Sequence, residues 1–146
     1  MTTPQAADLG RVPFSIAGID HIVLRAHDPQ RLVAFYRDVL GCSVEREQPE
    51  IGLTQLRAGG SLLDVIPQRA LAGAPVAPSG GSPNLDHLCL RIAPFDAVRL
   101  RAYLLAKGVV SGAPALRYGA EGEGPSVYLQ DPEGNGVELK ASAVAD

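Results

Sequence analysis

Several absences narrow the functions open to this chain. Basic residues are not in excess, since 13 Lys and Arg stand against 16 Asp and Glu and the formal net charge at pH 7 is −3. Such a chain offers no broad electropositive surface to nucleic-acid phosphates, so we expect no nucleic-acid partner. No stretch approaches the roughly 18 consecutive apolar residues of a membrane span, and the first residues lack the basic and apolar regions of a secretion signal. We therefore expect a cytoplasmic protein with no membrane partner.

Cysteine is scarce as well. Cys42 and Cys89 are the two cysteines, and they form no Cys-x-x-Cys pair. This spacing predicts neither a disulfide framework nor a structural zinc knuckle, and we expect reduced, mostly buried thiols.

The segment "GAEGEG", residues 119–124, has the wrong spacing for a dinucleotide-binding fingerprint and leads into a predicted strand instead of a helix. A nucleotide cofactor is therefore not expected.

What the sequence does contain is an internal repeat. "IDHIVLRA", residues 19–26, returns 66 residues later as "LDHLCLRI", residues 85–92, and both segments have the alternation typical of a strand. After each comes an aspartate suited to cap a helix, Asp28 or Asp96. Apolar residues at three-to-four spacing follow, and then a glycine where the helix should end. Each half of the chain therefore starts with a strand and a helix.

Short strands complete each half. They are "CSVEREQ", "IGLTQLRA" and "SLLDVIP" in the first half, and "PSVYLQ" and "GVELKA" in the second. A further short strand is predicted near residues 108–112. Both halves then have the order βαβββ.

The predicted organisation has four parts. A loose tail (1–17) precedes a first βαβββ module (18–68), and a second βαβββ module (85–142) ends the fold. Between the modules, the stretch 69–84 is rich in Ala, Pro, Gly and Ser and has no periodicity, which is typical of a linker. We predict one α+β domain in which the two modules form a curved mixed sheet around a cleft.

Alternation along the strands places four polar side chains on one surface. His21 and His87 face away from the apolar residues that should pack under the helices. Asp64 and Glu138, 74 residues apart, take equivalent positions in the closing strands and point the same way. A carboxylate among apolar neighbours is costly to desolvate without a cation, so the set predicts a divalent metal ion. Two imidazoles with one or two carboxylates suit Zn, Ni, Fe, Mn or Co and leave positions open for substrate.

Three stretches resemble the vicinal oxygen chelate superfamily, which contains glyoxalase I, extradiol dioxygenases, fosfomycin-resistance thiol transferases and bleomycin-resistance proteins. They are "IDHIVLRAHDPQRLVAFYRDVLG", "LDHLCLRI" and "VYLQDPEGNGVELK", and the similarity extends over about residues 17–142. The resemblance implies that His21, His87 and Glu138 are metal ligands. Glyoxalase I has a fourth, glutamate ligand at the position of Asp64, and the shorter side chain here leaves its role as a ligand open.

The resemblance implies a divalent-metal-dependent enzyme of the glyoxalase type, a lyase or isomerase acting on a small oxygen-chelating substrate. The metal would stabilise an enediolate as a Lewis acid, with Glu138, or Asp64 if it is free of the metal, as general base. The first alternative is an Fe(II)-dependent extradiol dioxygenase using two histidines and one carboxylate. The second is a non-enzymatic small-molecule-binding or resistance protein, although such relatives generally lack the ligand set.

The resemblance also implies a homodimer. Many members of the superfamily pair in this way, and some build the site from modules of two chains. The sequence leaves open whether the site lies within one chain or across the interface.

Four further residues are candidate substrate contacts. Arg25 and Arg91 share a face with the histidines and suit an anionic substrate group, and salt bridges at the sheet edge are an equal alternative. Arg117 and Tyr118 lie in the glycine-rich stretch 111–125, whose length is typical of a lid, a binding loop or a surface loop.

Overall fold

The structure, a computed structural model, describes residues 10–68 and 85–143. Each of its two sheets has four strands, and a helix follows the first strand of each. The elements in chain order are β1 (His21–Ala26), α1 (Pro29–Ala34), β2 (Ser43–Gln48), β3 (Leu53–Ala58), β4 (Ser61–Pro67), β5 (His87–Ile92), α2 (Ala97–Ala106), β6 (Ala115–Gly119), β7 (Gly122–Gln130) and β8 (Gly136–Ala141). The predicted α+β fold of two tandem βαβββ modules is confirmed. The predicted linker and residues 1–9 of the predicted tail lie outside the described residues.

Both helices begin at the aspartates that the sequence indicates. The Asp28 carboxylate accepts a hydrogen bond from the Arg31 backbone N–H at 3.1 Å. Asp96 accepts one from the N–H of Val98 and one from the N–H of Arg99, each at 3.1 Å. These bonds satisfy N–H groups that have no partner within the helix. The order of strand and helix is therefore set by local sequence.

The first helix widens at its C-terminal end, which the sequence does not predict. Phe35–Val39 form a π-helical turn, closed by a hydrogen bond from the Leu40 N–H to the Phe35 carbonyl at 3.2 Å. Gly41 then ends the helix with a φ of 81°, a left-handed conformation that glycine adopts at little cost. Phe35 and Tyr36, at the start of the wide turn, are both buried.

The second module differs from the prediction between residues 108 and 125. The predicted short strand near 108–112 does not form. The stretch 111–125 is not a long loop, because β6 and the start of β7 pair within it as an antiparallel hairpin. Gly119, Gly122 and Gly124 lie in the two strands of this hairpin, so the prediction of a long unstructured loop is wrong.

The two sheets repeat the same strand order and register. The orders are β1-β4-β3-β2 and β5-β8-β7-β6, with a parallel pair between the first and closing strand of each module. His21 lies opposite Leu62, and His87 lies opposite Gly136. The internal repeat therefore extends to the pairing of individual residues. β1 and β5 are edge strands, and within the described residues neither pairs with a strand on its outer side.

One hydrophobic core serves both modules. Leu24 and Leu63 of the first module belong to the same buried cluster as Leu104 and Val137 of the second. Because the cluster is continuous, the two modules share one interior.

In residues 10–68 and 85–143, no helix has both the length and the apolar character needed to cross a membrane.

A buried hydrogen bond also joins the modules. The Tyr36 hydroxyl, on the π-helical turn, donates to Asp131 Oδ2 at 2.6 Å. Asp131 is 5% exposed and also accepts hydrogen bonds from Asn135 Nδ2 and from the backbone N–H groups of Glu133 and Asn135. Burial, together with the bond to Asp131, raises the pKa of Tyr36 well above its ordinary value. The phenol is therefore a permanent donor.

Replacing Tyr36 by Phe should lower the free energy of unfolding by about 1–3 kcal/mol, because the buried Asp131 carboxylate loses a hydrogen-bond donor. Urea titration at neutral pH measures this change. Tyr118→Phe is the matched control, since the Tyr118 side chain is 85% exposed and its loss should cost less than about 0.5 kcal/mol. Equal stability of the two variants would show that the bond between the modules contributes nothing net.

Candidate metal centre

Each sheet has one face on the core and one face away from it, which we call the polar face. In β1, Leu24 is buried in the core, whereas His21 on the opposite face is exposed. β5 repeats the pattern around the half-buried His87. Asp64 and Glu138 alternate with the core residues of β4 and β8. All four predicted ligands therefore lie on the polar faces of their sheets.

In the second sheet, His87 and Glu138 are in contact. His87 Nε2 lies 3.2 Å from Glu138 Oε2. Glu138 is 6% exposed, and its Oε1 accepts a hydrogen bond from the Ser126 hydroxyl at 2.7 Å. The Tyr128 ring packs edge-on against the imidazole, with the ring centroids 5.6 Å apart. An imidazole nitrogen and a carboxylate oxygen thus face the same place, as two ligands of one metal ion do.

Gly136 permits this contact. A Cβ at this position would lie 2.6 Å from the Asp86 carbonyl oxygen and 2.9 Å from the Cβ of His87. β8 can therefore pair closely beside the histidine only with glycine at this position.

Glu138 is held in its ionised form. Burial acts to raise the pKa of this carboxyl group, but hydrogen bonds from Ser126, Tyr128 and Cys89, together with the charge of His87, outweigh it. The pKa of Glu138 therefore lies below its ordinary value. An ionised carboxylate is the form that binds a metal cation.

Cys89 borders the same pair. It lies opposite Glu138 in the sheet and is exposed, which corrects the prediction of mostly buried thiols, while Cys42 is half-buried. Partial burial of the sulfur and the neighbouring charge of Glu138 raise the pKa of Cys89 to about 11. In the metal-free protein the thiol is therefore protonated at neutral pH and donates a hydrogen bond to Glu138.

In the first sheet, Asp64 takes the position equivalent to Glu138. It is 4% exposed, and its Oδ2 accepts a hydrogen bond from Gln55 Nε2 at 3.1 Å. Its Oδ1 is buried and has no hydrogen-bond partner among the described residues. The hydrogen bond to Asp20, with smaller contributions from the charges of Asp64 and Asp20, raises the pKa of His21. A buried carboxylate oxygen that accepts no hydrogen bond is energetically costly. The Asp64 carboxylate and the His21 imidazole together are ligands that suit a divalent cation.

An aspartate holds each histidine. Asp20 Oδ1 accepts a hydrogen bond from His21 Nδ1 at 2.6 Å, and Asp86 Oδ2 accepts one from His87 Nδ1 at 2.7 Å. With Nδ1 engaged, Nε2 is the ligating nitrogen of each ring, and the carboxylate partner makes it a stronger ligand. These aspartates were not among the predicted site residues, although their repetition before each histidine is a signal that identifies them.

Within the part of the chain that the structure describes, the predicted ligands form two pairs, one on each sheet. Within residues 10–68 and 85–143, no three His, Cys, Asp or Glu side chains lie close enough together to hold a metal ion. His21 and Asp64 belong to one sheet and His87 and Glu138 to the other, and among the described strands no ladder joins the two sheets. Within these ranges the four predicted ligands do not form one group, and each sheet carries one histidine and one carboxylate.

Arg25 and Arg91 lie on the polar faces, as predicted. Arg25 is half-buried and shares its face with His21. Arg91 Nη1 lies 3.5 Å from Glu121 Oε2, at the tip of the hairpin between β6 and β7. The salt-bridge alternative therefore holds for Arg91.

Arg117 and Tyr118 lie on opposite faces of β6. The Arg117 guanidinium sits over the Tyr128 ring, 5.7 Å from its centroid, which places it beside the His87–Glu138 pair. Tyr118 points to the other face and is 85% exposed. Of these two predicted substrate contacts, only Arg117 adjoins the candidate site.

Residues 18–139 match the family model of the Glyoxalase/Bleomycin resistance protein/Dioxygenase superfamily. The chain belongs to this superfamily. The match extends over both modules and all four predicted ligands, and it confirms the resemblance seen in the sequence. The superfamily includes enzymes such as lactoylglutathione lyases.

Individual relatives of this superfamily member differ in what they do. Virulence protein STM3117 of Salmonella typhimurium is 29% identical over 133 residues, which are 88% of this chain and 86% of that protein, and its crystal structure gives a TM-score of 0.73. Lactoylglutathione lyase from Agrobacterium tumefaciens is 26% identical, with a TM-score of 0.63 over 87% of this chain and 95% of that one. TnmS3, an antibiotic-binding protein from Streptomyces, is 19% identical, with a TM-score of 0.64 over 89% of this chain and 99% of that one, and shares the fold alone.

Proposed function

We propose that this protein is a divalent-metal-dependent enzyme of the glyoxalase type, a lyase or isomerase acting on a small substrate that offers oxygen atoms to the metal. The contact between His87 and Glu138 carries the proposal, because Nε2 and Oε2 lie 3.2 Å apart and the carboxylate is ionised. The similarity to a lactoylglutathione lyase supports the reaction class.

We further propose that a homodimer completes the site. β1 and β5 are edge strands, each carries a predicted ligand, and exposed edges tend to pair with another chain. Pairing of β1 with β5 of the partner subunit would bring His21 and Asp64 beside the partner's His87 and the partner's Glu138. Twofold symmetry then gives two equivalent sites per dimer.

In this proposal the chain's own residues bind and move protons. The bound metal supplies Lewis-acid stabilisation of negative charge developing on a substrate oxygen. Glu138, with one oxygen facing His87 and the other held by Ser126, takes a proton from the substrate carbon beside that oxygen and returns it to the neighbouring carbon. Asp64 serves as fourth ligand, and Gln55 fixes its orientation.

Metal analysis followed by an activity assay tests the function. The purified protein should contain about one divalent ion per chain. It should also convert the hemithioacetal of methylglyoxal and glutathione to the thioester. Chelation should remove metal and activity together, and adding Ni²⁺, Zn²⁺, Co²⁺, Mn²⁺ or Fe²⁺ should restore them. Full activity without metal would contradict the mechanism, and tight binding without turnover of any substrate would indicate a binding protein.

A second candidate function follows from the contact of Gln55 with Asp64. Because the Gln55 amide already bonds one Asp64 oxygen, the ligand set can consist of His21, His87 and Glu138 alone. Two histidines and one carboxylate form the triad of non-haem Fe(II) oxygenases. Oxygen uptake by the Fe²⁺-loaded protein with catechols, without activity on hemithioacetals, would favour an extradiol dioxygenase.

Asp64→Asn should change stability and metal affinity in opposite directions. In metal-free protein, removing a buried charge with an unpartnered oxygen should raise the free energy of unfolding by about 1 kcal/mol. Metal affinity should fall at least about tenfold, because a ligand is lost. Denaturant titration with chelator and metal titration measure the two effects. Glu123→Gln, an exposed carboxylate on β7, is the control. Unchanged metal affinity in Asp64→Asn would remove Asp64 from the ligand set and favour the triad.

A further inference from the structure

The segment before β1, residues 10–20, exposes large apolar side chains that no other described residue covers. In this segment, which we call the arm, Val12, Phe14 and Ile16 occupy every second position and are between 67% and 85% exposed. Such spacing places the three side chains on one face when the arm is extended. Within the described residues the arm is hydrogen-bonded only from Ile19 onward. The arm therefore has an apolar face available for another surface.

Helix α2 carries a second uncovered apolar surface. Its inner face packs on the core through Leu100 and Leu104. On another face, Val98, Ala102 and Leu105 follow the i, i+4, i+7 spacing of a helical stripe, and all three are exposed. We call these three residues the α2 stripe. A groove of about 340 Å³ adjoins its C-terminal end and is lined by Arg101, Ala102, Leu105, Val109, Val110 and Ser111.

The internal repeat breaks down at this helix. In the first module, α1 and the π-helical turn after it bury Leu32, Val33, Phe35 and Tyr36. In the second module, Leu104 is the one buried residue among the ten of α2. The two helices have equivalent places in their modules but differ in how much of their surface is covered. Within the described residues, α2 is thus the helix that lacks a covering layer.

The geometry of the proposed dimer brings the arm toward α2 of the partner subunit. β1 and β5 are equivalent edges, because each pairs in parallel with the closing strand of its module in the same register. Ligands from both edges share one surface only if both polar faces point the same way. Two equivalent edges that meet with the same face up are related by a half-turn, so the two strands run antiparallel. The arm then leaves β1 beside the C-terminal end of the partner's β5.

The distances from that point suit the two surfaces. α2 begins five residues after β5 ends, and it starts with the exposed Val98. The arm side chains from Val12 to Ile16 span about 13 Å in extended backbone. The stripe from Val98 to Leu105 spans about 11 Å along the helix. The apolar face of the arm therefore has the length of the stripe to within one residue.

We propose that the arm of each subunit docks on the α2 stripe of the partner subunit, so that the homodimer is held by exchanged arms. This inference rests on the dimer of the proposed function and identifies a second surface that stabilises it. At roughly 100 Å² for each large apolar side chain, two symmetric arm contacts bury on the order of 1,000 Å². A stable interface buries about 1,200–2,000 Å² in total, so the paired strand edges need supply only the remainder.

Phe14→Ala and Leu105→Ala should each raise the dissociation constant of the dimer. Truncating one apolar anchor weakens binding about tenfold, and a symmetric dimer contains each contact twice, so we expect about a hundredfold increase. Fluorescence-detected sedimentation over a dilution series measures the dissociation constant. Both side chains are exposed in the chain, so the variants should keep their fold, which far-ultraviolet circular dichroism verifies.

Matched substitutions show whether the two surfaces touch. Ser15→Ala, on the opposite face of the arm, and Leu116→Ala, at an exposed apolar position on β6, should leave the dissociation constant unchanged. The double variant of Phe14→Ala and Leu105→Ala should lose distinctly less than the product of the two single effects, because both substitutions remove one contact. Effects that multiply fully would show that the residues do not touch and would overturn the docking.

Photocrosslinking identifies the chain on which the arm lies. Phe14→benzoylphenylalanine places a photoreactive group at the centre of the arm. In mixed dimers of tagged and untagged chains, light should join position 14 of one chain to residues 98–105 of the other, as identified by mass spectrometry of the joined peptides. Crosslinks confined to a single chain, or directed to another region of the partner, contradict the proposal.

Metal content and hemithioacetal turnover of the same samples report the proposed function separately. If Phe14→Ala and Leu105→Ala leave the dimer intact at every dilution, arm docking is refuted, whereas the paired strands and the metal centre stand. A wild-type protein that sediments as a monomer at micromolar concentration refutes the docking together with the dimer. If the arm crosslinks as expected but the protein holds no metal and turns over no substrate, the proposed function fails and the arm exchange stands.

Discussion

A mixture of His21→Ala and His87→Ala proteins should recover activity that neither variant has alone. Each homodimer lacks one ligand at both sites. In a heterodimer with sites across the interface, one site loses both histidines and the other keeps all its ligands. Random reassociation of equal amounts gives half heterodimers, so about a quarter of the wild-type activity should return. The measurement is the hemithioacetal assay after joint unfolding and refolding.

The control mixture combines His87→Ala with Glu138→Ala. Both ligands belong to the second module, so every heterodimer site lacks one of them and no activity should return. Recovery in the first mixture alone locates the site between subunits. Failure of both mixtures, with heterodimers verified by mass, would place the site within one chain and contradict the proposed pairing of β1 with β5.

Glu138→Gln should have the largest effect of any single substitution. The amide keeps the size of the side chain and its bond to Ser126, but it carries no charge for the metal and cannot take a proton. We expect kcat/KM to fall at least about a thousandfold, the range attributed to a general base, with a large loss of metal affinity.

Two measurements accompany this substitution. Kinetics on metal-saturated protein separate lost metal from lost proton transfer, and Glu123→Gln, an exposed carboxylate on the adjacent strand, should behave as wild type. If metal-saturated Glu138→Gln kept a near-normal kcat, the general base would be Asp64 instead. Asp64→Asn should then abolish turnover.

The sequence anticipated much of the fold because its signals are local. Asp28 and Asp96 cap helices through bonds spanning two or three residues. The repeated "DH" segments also gave the correct register, since His21 and His87 take equivalent places in their sheets. The stretch 111–125 was wrongly predicted, because glycines that serve close packing in a hairpin resemble those of a flexible loop.

The sequence by itself determined the two-module fold, the superfamily, and which faces carry His21, His87, Asp64 and Glu138, because strand alternation and capping depend on neighbouring residues. Only the tertiary structure decided how these residues group. In the described residues, contacts between strands distant in sequence place one histidine and one carboxylate on each sheet and anchor Glu138 to Ser126. Such contacts depend on the packing of separate elements, which local periodicity does not encode.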